Sequence, residues 1–114
     1  MGVLSGIFTV DTSIQAEEDL REIFEYISFR LLSPENTAKQ LERLESQILS
    51  LGEMPERFPR YGKEPWYSRG LRFVEVDNYI VFYIPDIKEQ VVTILRVMYS
   101  GRNIEEQLSD HKKQ

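Results

Sequence analysis

Three arginines and one tyrosine in the second half of the chain are the residues best suited to chemistry on a phosphodiester. Arg72, Arg96 and Arg102 carry planar guanidinium groups that match phosphate oxygens with two parallel donors, and Tyr99 is the candidate proton-transfer group. Cleavage of a phosphodiester needs a proton acceptor, a proton donor for the departing oxygen, and cations for the charge on phosphorus. A tyrosine, with an ordinary pKa of about 10, acts as a base only in a strongly cationic site.

Structural roles for the same arginines stay open. Arg72 can pair with Glu75 or Asp77 at a strand surface, and Arg96 can lie over the ring of Tyr79 or Tyr83.

The composition excludes several other chemistries. The 114-residue chain has no cysteine and a single histidine, His111. A disulfide framework, a thiolate zinc site, an iron–sulfur cluster, a cysteine nucleophile and a histidine metal cluster are therefore ruled out. His111 lies in a charged tail and is expected to be a solvated surface residue. The GxxxxGK[ST] and GxGxxG phosphate-binding motifs do not occur, so we expect no nucleotide binding of that kind. Metal catalysis would need carboxylates alone, and we expect no metal and no cofactor.

Basic charge is concentrated in one half of the chain. Residues 1–56 carry 11 acids and 4 bases, whereas residues 57–102 carry 8 bases and 5 acids within a total of −5. This asymmetry predicts a basic surface that faces a partner, with ordinary surface charge as the alternative. Aromatic residues among the bases anchor interfaces or stack on nucleic acid, or simply pack on the sheet. The predicted target-binding residues are Arg57, Arg60, Lys63, Trp66, Tyr67 and Arg69.

The length and the 41% hydrophobic content predict one globular domain over residues 1–114, with a core at 5–108 and a polar tail at 109–114. No apolar run is long enough to cross a membrane, and the N-terminus lacks a signal-peptide pattern. We expect a cytoplasmic protein with no membrane contact.

Apolar residues at steps of three and four predict two amphipathic helices joined by a short turn. Thr12 is the expected N-cap of the first helix, and Ser33-Pro34 the expected start of the second. Gly52 and Met54-Pro55 are expected to end the second helix. The first apolar stripe consists of Leu20, Ile23, Phe24, Ile27 and Leu31, and the second of Ala38, Leu41, Leu44, Ile48 and Leu51.

The remaining segments predict strands. The segment 7–10 is short and rich in β-branched residues, which predicts a first strand. Residues 71–76 and 79–84 are predicted to form a hairpin around Asp77-Asn78. A turn at 85–88 leads to a strand at 90–98, and Asn103 caps a short final helix. The segment 55–65 contains three prolines and is expected to be an ordered basic loop.

This order, β-α-α-β-β-β, predicts a two-layer α+β fold with the helical hairpin on one face of a mainly antiparallel sheet and a short C-terminal helix. Both faces of the strand at 79–84 are apolar, whereas a face open to water should be polar. The chain has little left to cover the second face. We therefore expect an apolar surface available to a protein partner.

The order of the elements and several short sequence motifs within them resemble the RelE/ParE superfamily of bacterial type II toxins over residues 5–108. The motifs are Ala16-Glu17-Glu18-Asp19-Leu20, Leu32-Ser33-Pro34, Asn78-Tyr79-Ile80-Val81-Phe82-Tyr83, Val92-Thr93-Ile94-Leu95-Arg96-Val97-Met98-Tyr99 and Arg102-Asn103. The resemblance implies a cognate antitoxin, disordered until bound, that forms a hetero-oligomer with this chain and covers its apolar surface. The expected antitoxin-binding residues are Tyr79, Val81 and Tyr83.

Members of this superfamily fall into two functional classes. RelE-like members cut messenger RNA on the ribosome, and ParE-like members arrest growth by poisoning DNA gyrase, often in modules that stabilise plasmids. RelE-like nucleases commonly carry an arginine where this chain has Ile80, and lysines on the preceding strand, where this chain has none at 71–73. An acidic chain is also a poor ligand for ribosomal RNA.

We therefore expect a ParE-like gyrase inhibitor that is not an enzyme. The alternatives are a ribosome-dependent endoribonuclease, with Arg72, Arg96, Tyr99 and Arg102 as its catalytic residues, and a non-toxic remnant that still binds an antitoxin.

Overall fold

The computed structural model describes residues 7–30, 34–101 and 103–112, and within these ranges it has three α-helices and four strands. In chain order they are β1 (Thr9–Thr12), α1 (Ile14–Arg30), α2 (Pro34–Ser50), β2 (Arg72–Val76), β3 (Tyr79–Asp86), β4 (Val91–Tyr99) and α3 (Ile104–Lys112). The sheet order is β1-β4-β3-β2, with β1 parallel to β4 and the other pairs antiparallel. The predicted α+β fold is confirmed.

The two long helices bury the predicted faces with two exceptions. In α1, Ile23 and Ile27 are buried, but Phe24 is 53% exposed because it lies about 100° around the helix from Ile23. In α2, Leu44 and Ile48 are buried, whereas Ala38 is exposed and Thr37 takes the core position. Leu31 and the predicted cap Ser33 lie outside the described residues.

The start of α1 differs from the prediction by one residue. Thr12 still belongs to β1, where it pairs with Ile94, so it cannot cap the helix. Ser13 is the cap instead: its Oγ accepts a hydrogen bond from the Ala16 N–H at 3.0 Å. The first strand correspondingly runs over Thr9–Thr12 rather than 7–10.

α2 ends at Ser50, next to the predicted stop, and Gly52 also permits a close approach of two segments. The Phe8 N–H donates to the Gly52 carbonyl oxygen at 2.7 Å, which brings the chain before β1 against the end of α2. A Cβ on Gly52 would lie 2.7 Å from the Phe8 carbonyl oxygen. Any side chain there would therefore push these two segments apart.

The hairpin between β2 and β3 is confirmed, with Asp77 at φ 55° in its turn. The predicted turn at 85–88 is wrong, because β3 continues to Asp86 and the turn occupies 87–90. Pro85 fits in this strand because β2 begins opposite Tyr83, so β3 has a neighbour on one side only at that point.

The sheet has a hydrophobic core on each face. The core under the helices contains Ala16, Ile23, Ile27, Leu44, Ile48, Leu51, Val74, Tyr79, Val81, Tyr83, Val92, Ile94 and Val97. The opposite core contains Trp66, Leu71, Ile80, Phe82, Leu95, Met98 and Leu108. The expectation that the chain leaves the second face uncovered is wrong, because Trp66 from the loop before β2 and Leu108 from α3 pack onto it.

The expected antitoxin-binding residues are packing residues instead. Tyr79, Val81 and Tyr83 face the helical hairpin and are 6%, 0% and 0% exposed. Val81 and Tyr83 offer no accessible surface to a partner, and Tyr79 reaches solvent only through a small part of its surface. None of the helices within the described ranges combines the length and apolar content that crossing a bilayer requires.

Candidate functional site

Arg96 is held by an acid of the first helix. Its Nε donates to Asp19 Oδ2 at 2.8 Å and its Nη2 to Asp19 Oδ1 at 3.0 Å, which is a bidentate pair. Its Nη1 donates to the Gln107 carbonyl oxygen of α3 at 2.9 Å. The two side chains are only 10% and 13% exposed. Arg96 therefore joins α1, β4 and α3 and is not a free phosphate clamp.

The sheet geometry explains why Asp19 is needed there. β1 stops opposite Ile94, so the rest of β4 has no strand beside it on that edge. Ser13 Oγ donates to the Leu95 carbonyl oxygen at 2.8 Å, and the Val97 N–H donates to Asp19 Oδ2 at 2.9 Å. The N-cap Ser13 and Asp19 of α1 thus satisfy backbone groups that a longer β1 would otherwise satisfy.

Arg72 anchors the loop that follows α2. Its Nη1 donates to the carbonyl oxygens of Glu56 at 3.1 Å and Phe58 at 2.6 Å. The Tyr83 hydroxyl donates to the Pro55 carbonyl oxygen at 2.6 Å in the same region. Burial raises the pKa of Tyr83 to about 12, against the opposing influence of the nearby arginines. Of the two acids suggested as partners of Arg72, Asp77 instead pairs with Arg43 on α2 at 3.1 Å.

Tyr99 lies at a cleft of about 280 Å³, which we call the tyrosine recess. Tyr99 is 47% exposed, and its ring meets that of buried Tyr79 edge to face at 5.9 Å. Burial raises the pKa of Tyr79, and its neighbours Tyr26 and Tyr99 add to the rise. The recess is lined by Asp19, Glu22, Ile23, Tyr26, Tyr79, Arg96, Val97, Met98, Tyr99 and Gln107.

The four predicted catalytic residues do not form one cationic site among the described residues. Arg96 and Tyr99 share the tyrosine recess, but Asp19 occupies the guanidinium fork of Arg96. Arg72 is committed to the carbonyls of the loop at 56–58, and Arg102 lies outside the described residues. The recess contains two acids and one arginine, which is the opposite of what a tyrosine base requires.

Four of the six predicted target-binding residues form what we call the loop cluster: Arg60, Trp66, Tyr67 and Arg69. The guanidinium of Arg60 lies 5.3 Å from the Tyr67 ring centroid, and that of Arg69 lies 5.2 Å from the Trp66 ring centroid. Trp66 is 6% exposed and belongs to the second core, as its packing role predicts. Tyr67 is 45% exposed, so it gives the cluster an accessible aromatic surface.

The other two bases point to different partners. Arg57 donates to the Glu53 carbonyl oxygen at 2.6 Å and to Ser50 Oγ at 3.1 Å, at the end of α2. Lys63 pairs with Glu105 of α3, and this hydrogen bond raises the pKa of Lys63. Within the described ranges, no carboxylate lies within ion-pair distance of Arg60 or Arg69. Those two exposed cations lie over aromatic rings and are not paired with a described carboxylate.

Sequence reasoning missed Asp19, Glu22, Tyr26 and Gln107 as members of a site. Nothing local in the sequence connects Asp19 with an arginine 77 positions later. The spacing of Asp19, Glu22 and Tyr26 did hold a signal, since steps of three and four place residues on one helix face. No group of three or more acids or histidines in the described parts of the chain is placed to hold a metal ion.

Comparison with known proteins gives one family and several similar structures. The family model described as "ParE toxin of type II toxin-antitoxin system, parDE" matches residues 10–104. No curated protein sequence matches the chain.

The similar structures share the fold. A structure titled as the chromosomal ParDE toxin–antitoxin system of P. aeruginosa has a TM-score of 0.66 at 18% identity, covering 82% of this chain and 97% of that one. The E. coli toxin RelE, as a mutant in the free state, has a TM-score of 0.61 at 16% identity, covering 94% and 96%. The Mycobacterium tuberculosis RelBE2 complex has a TM-score of 0.57 at 22% identity, covering 82% and 91%.

Proposed function

This chain belongs to the ParE toxin family of type II toxin–antitoxin systems, and we propose that it arrests growth by inhibiting DNA gyrase rather than by cutting RNA. As a toxin of this type it acts on a component of its own cell. Gyrase inhibition requires a protein surface that fits the target and no proton-transfer site. It also implies action in the cytoplasm, where gyrase works.

The observation that carries this proposal is the pairing of Arg96 with Asp19. Stabilising a phosphorane-like transition state needs cations whose donors point at the substrate. The donors of Arg96 are used by Asp19 and the Gln107 carbonyl, and those of Arg72 by backbone carbonyls. Tyr99 is therefore left without an available described arginine to stabilise its phenolate. The absence of an available clamp among the described residues supports the proposal over a nuclease mechanism.

The loop cluster is the proposed contact surface for the target. Residues 57–69 hold four bases and one acid, in a chain that is acidic as a whole. Arg60 and Arg69 lie over aromatic rings, and exposed Tyr67 adds apolar contact area. Arginine and tyrosine beside each other are typical of residues that dominate protein interfaces. Arg57 and Lys63 flank this surface and contribute charge to it.

We also propose a cognate antitoxin as a stable partner. Two of the similar structures are titled as toxin–antitoxin assemblies. On this chain, large apolar side chains remain exposed on the helical hairpin, including Ile14, Phe24, Phe29 and Leu49 at 76%, 53%, 86% and 65%. Such residues fit an antitoxin that wraps the helices better than the buried tyrosines first expected. A module of this kind on a plasmid would stabilise that plasmid.

The decisive experiment compares two activities of the purified chain. We expect it to inhibit supercoiling by DNA gyrase and to leave mRNA intact on translating ribosomes. Replacing Tyr99 by Phe removes only the hydroxyl, so gyrase inhibition should be retained. Codon-biased mRNA cleavage that disappears in Tyr99→Phe would overturn the proposal in favour of an endoribonuclease. Normal growth on expression without an antitoxin would instead indicate a non-toxic binding module.

The contact surface is tested separately. The double substitution Arg60→Ala and Arg69→Ala should abolish gyrase inhibition while the chain stays folded. Arg43→Ala is the matched control, because Arg43 is an exposed arginine on α2 far along the chain from the loop. Equal inhibition by both variants would remove the loop cluster from the proposal without affecting the choice between gyrase and RNA.

A further inference from the structure

The tyrosine recess combines three aromatic rings with an excess of acid. Glu22 and Tyr26 stand one turn apart on α1, and Tyr79 and Tyr99 close the recess from β3 and β4. Tyr79 is 6% exposed and forms the floor, whereas Tyr26 and Tyr99 are 54% and 47% exposed and form walls open to solvent. The geometry is that of a partly enclosed aromatic site that can be reached from outside.

The charges of the recess favour a cation. Asp19 and Arg96 neutralise each other through their bidentate pair, so Glu22 is the lining acid whose charge is not balanced inside the recess. The helix that supplies this wall holds five acids and two bases. A phosphate or a nucleotide would meet negative charge here, and Arg96, the one arginine among the described lining residues, is already bound to Asp19.

The size of the recess suits one side chain. Its volume of about 280 Å³ is at the lower end of the range of small-molecule sites. Aromatic rings attract a cation placed near them, and a carboxylate at the rim adds to this attraction. An arginine or lysine side chain has both the length to enter and an apolar stem to lie along the rings.

We propose that the tyrosine recess binds the cationic group of an arginine or lysine side chain presented by a protein partner. The occupant is a polypeptide rather than a nucleic acid, because the recess and its helix are acidic. The inference does not depend on gyrase being the target. It concerns a surface formed by α1, β3 and β4, whereas the proposed gyrase contact lies in the loop before β2.

The test uses a minimal probe with a neutral counterpart. N-acetyl-L-arginine amide is titrated into the full chain while the tyrosine ring resonances are followed by NMR, and N-acetyl-L-citrulline amide is the uncharged control. We expect saturable shifts of the Tyr26, Tyr79 and Tyr99 ring signals with the arginine probe and none with citrulline. Equal shifts with both probes would overturn the inference, because they would show that charge plays no part.

Variants assign the effect to the recess. Tyr99→Leu should weaken binding of the arginine probe about fivefold, and Tyr99→Phe should leave it unchanged because the ring supplies the attraction. Glu22→Gln should weaken it by a similar factor, whereas Glu18→Gln, an exposed acid of the same helix, should not. Loss of affinity equal in Glu18→Gln and Glu22→Gln would contradict a specific site.

A nucleotide titration tests whether the recess is instead an anion-binding site. Guanosine 5′-monophosphate should leave the three ring signals unchanged at concentrations that saturate the arginine probe. Shifts produced by the nucleotide and absent with the arginine probe would identify an anion site and overturn the proposal. Because this measurement involves neither gyrase nor ribosomes, its failure is distinct from failure of the proposed toxin activity.

Discussion

The arginine of the tyrosine recess and the arginines of the loop cluster have the same side chain in opposite situations. Arg96 is buried between two helices and a strand and is fully engaged by Asp19 and a carbonyl of α3. Arg60 and Arg69 lie over aromatic rings at the surface. This difference shows that residue type alone does not tell whether an arginine is available to bind a ligand. The partner brought by the fold decides whether an arginine serves the fold or a ligand.

The two situations also differ in energy. A nearly buried ion pair gives little net stability, but removing one partner is costly because the other charge is left without compensation. A surface cation over a ring contributes only about 0.5 to 1 kcal/mol. Substitutions should therefore separate stability from function, with the Arg96–Asp19 pair controlling mostly stability and the loop cluster mostly target binding.

The largest effect is expected for Asp19→Ala. This change leaves the buried guanidinium of Arg96 unpaired and the Val97 N–H without its acceptor, which should lower the free energy of unfolding by about 3 kcal/mol. Urea denaturation measures it, with Glu18→Ala as the exposed neighbour that should stay close to the parent protein. If the two variants were equally stable, the contrast between the two regions would fail.

The second largest effect concerns Tyr83, whose hydroxyl donates to the Pro55 carbonyl oxygen at the start of the loop after α2. The folded-state pKa of Tyr83, about 12, lies above its unfolded value, so its contribution is present below about pH 10 and is lost as pH rises through about 12. This contribution is about 2 kcal/mol. In Tyr83→Phe we expect a flatter decline of stability between pH 10 and 12, measured by urea denaturation. Tyr67→Phe, at an exposed position, should keep the decline of the parent protein.

Glycines in the two regions provide a third comparison. A Cβ on Gly101 would lie 2.7 Å from Tyr99 Cε2, so Gly101→Ala should displace that ring and cost about 1 kcal/mol. A Cβ on Gly62, near the loop cluster, would meet no atom within 4 Å. Gly62→Ala should leave stability unchanged. Thermal denaturation and the Tyr99 ring shifts would report both variants, and an unmoved ring in Gly101→Ala would disprove the contact.

The last comparison concerns the two arginines of the loop cluster. Arg60→Ala together with Arg69→Ala removes two surface cation–π contacts and should cost about 1 kcal/mol in total. The accompanying loss of gyrase inhibition should be far larger than this change in unfolding free energy. A stability loss as great as that of Asp19→Ala would show that these arginines also serve the fold.

Much of the fold follows from local patterns. The hairpin around Asp77, the two amphipathic helices and the short final helix all come from periodicity and turn chemistry within a few residues. The predicted ends of these elements are displaced by one or two positions. Ser13 rather than Thr12 caps α1, and the turn comes after Asp86. These depend on where a strand stops pairing, which is a property of its neighbour and not of its own residues.

The class of fold can be predicted from the sequence alone. So can the absence of thiol chemistry and the aromatic, basic composition of residues 57–69. Only the tertiary structure decided that Trp66 and Leu108 cover the second sheet face, and that Asp19 meets Arg96 across 77 positions. The reason is the distance along the chain over which each kind of interaction acts. Helix and turn preferences act between residues a few positions apart, whereas burial and charge pairing depend on which distant segments the folded chain brings into contact.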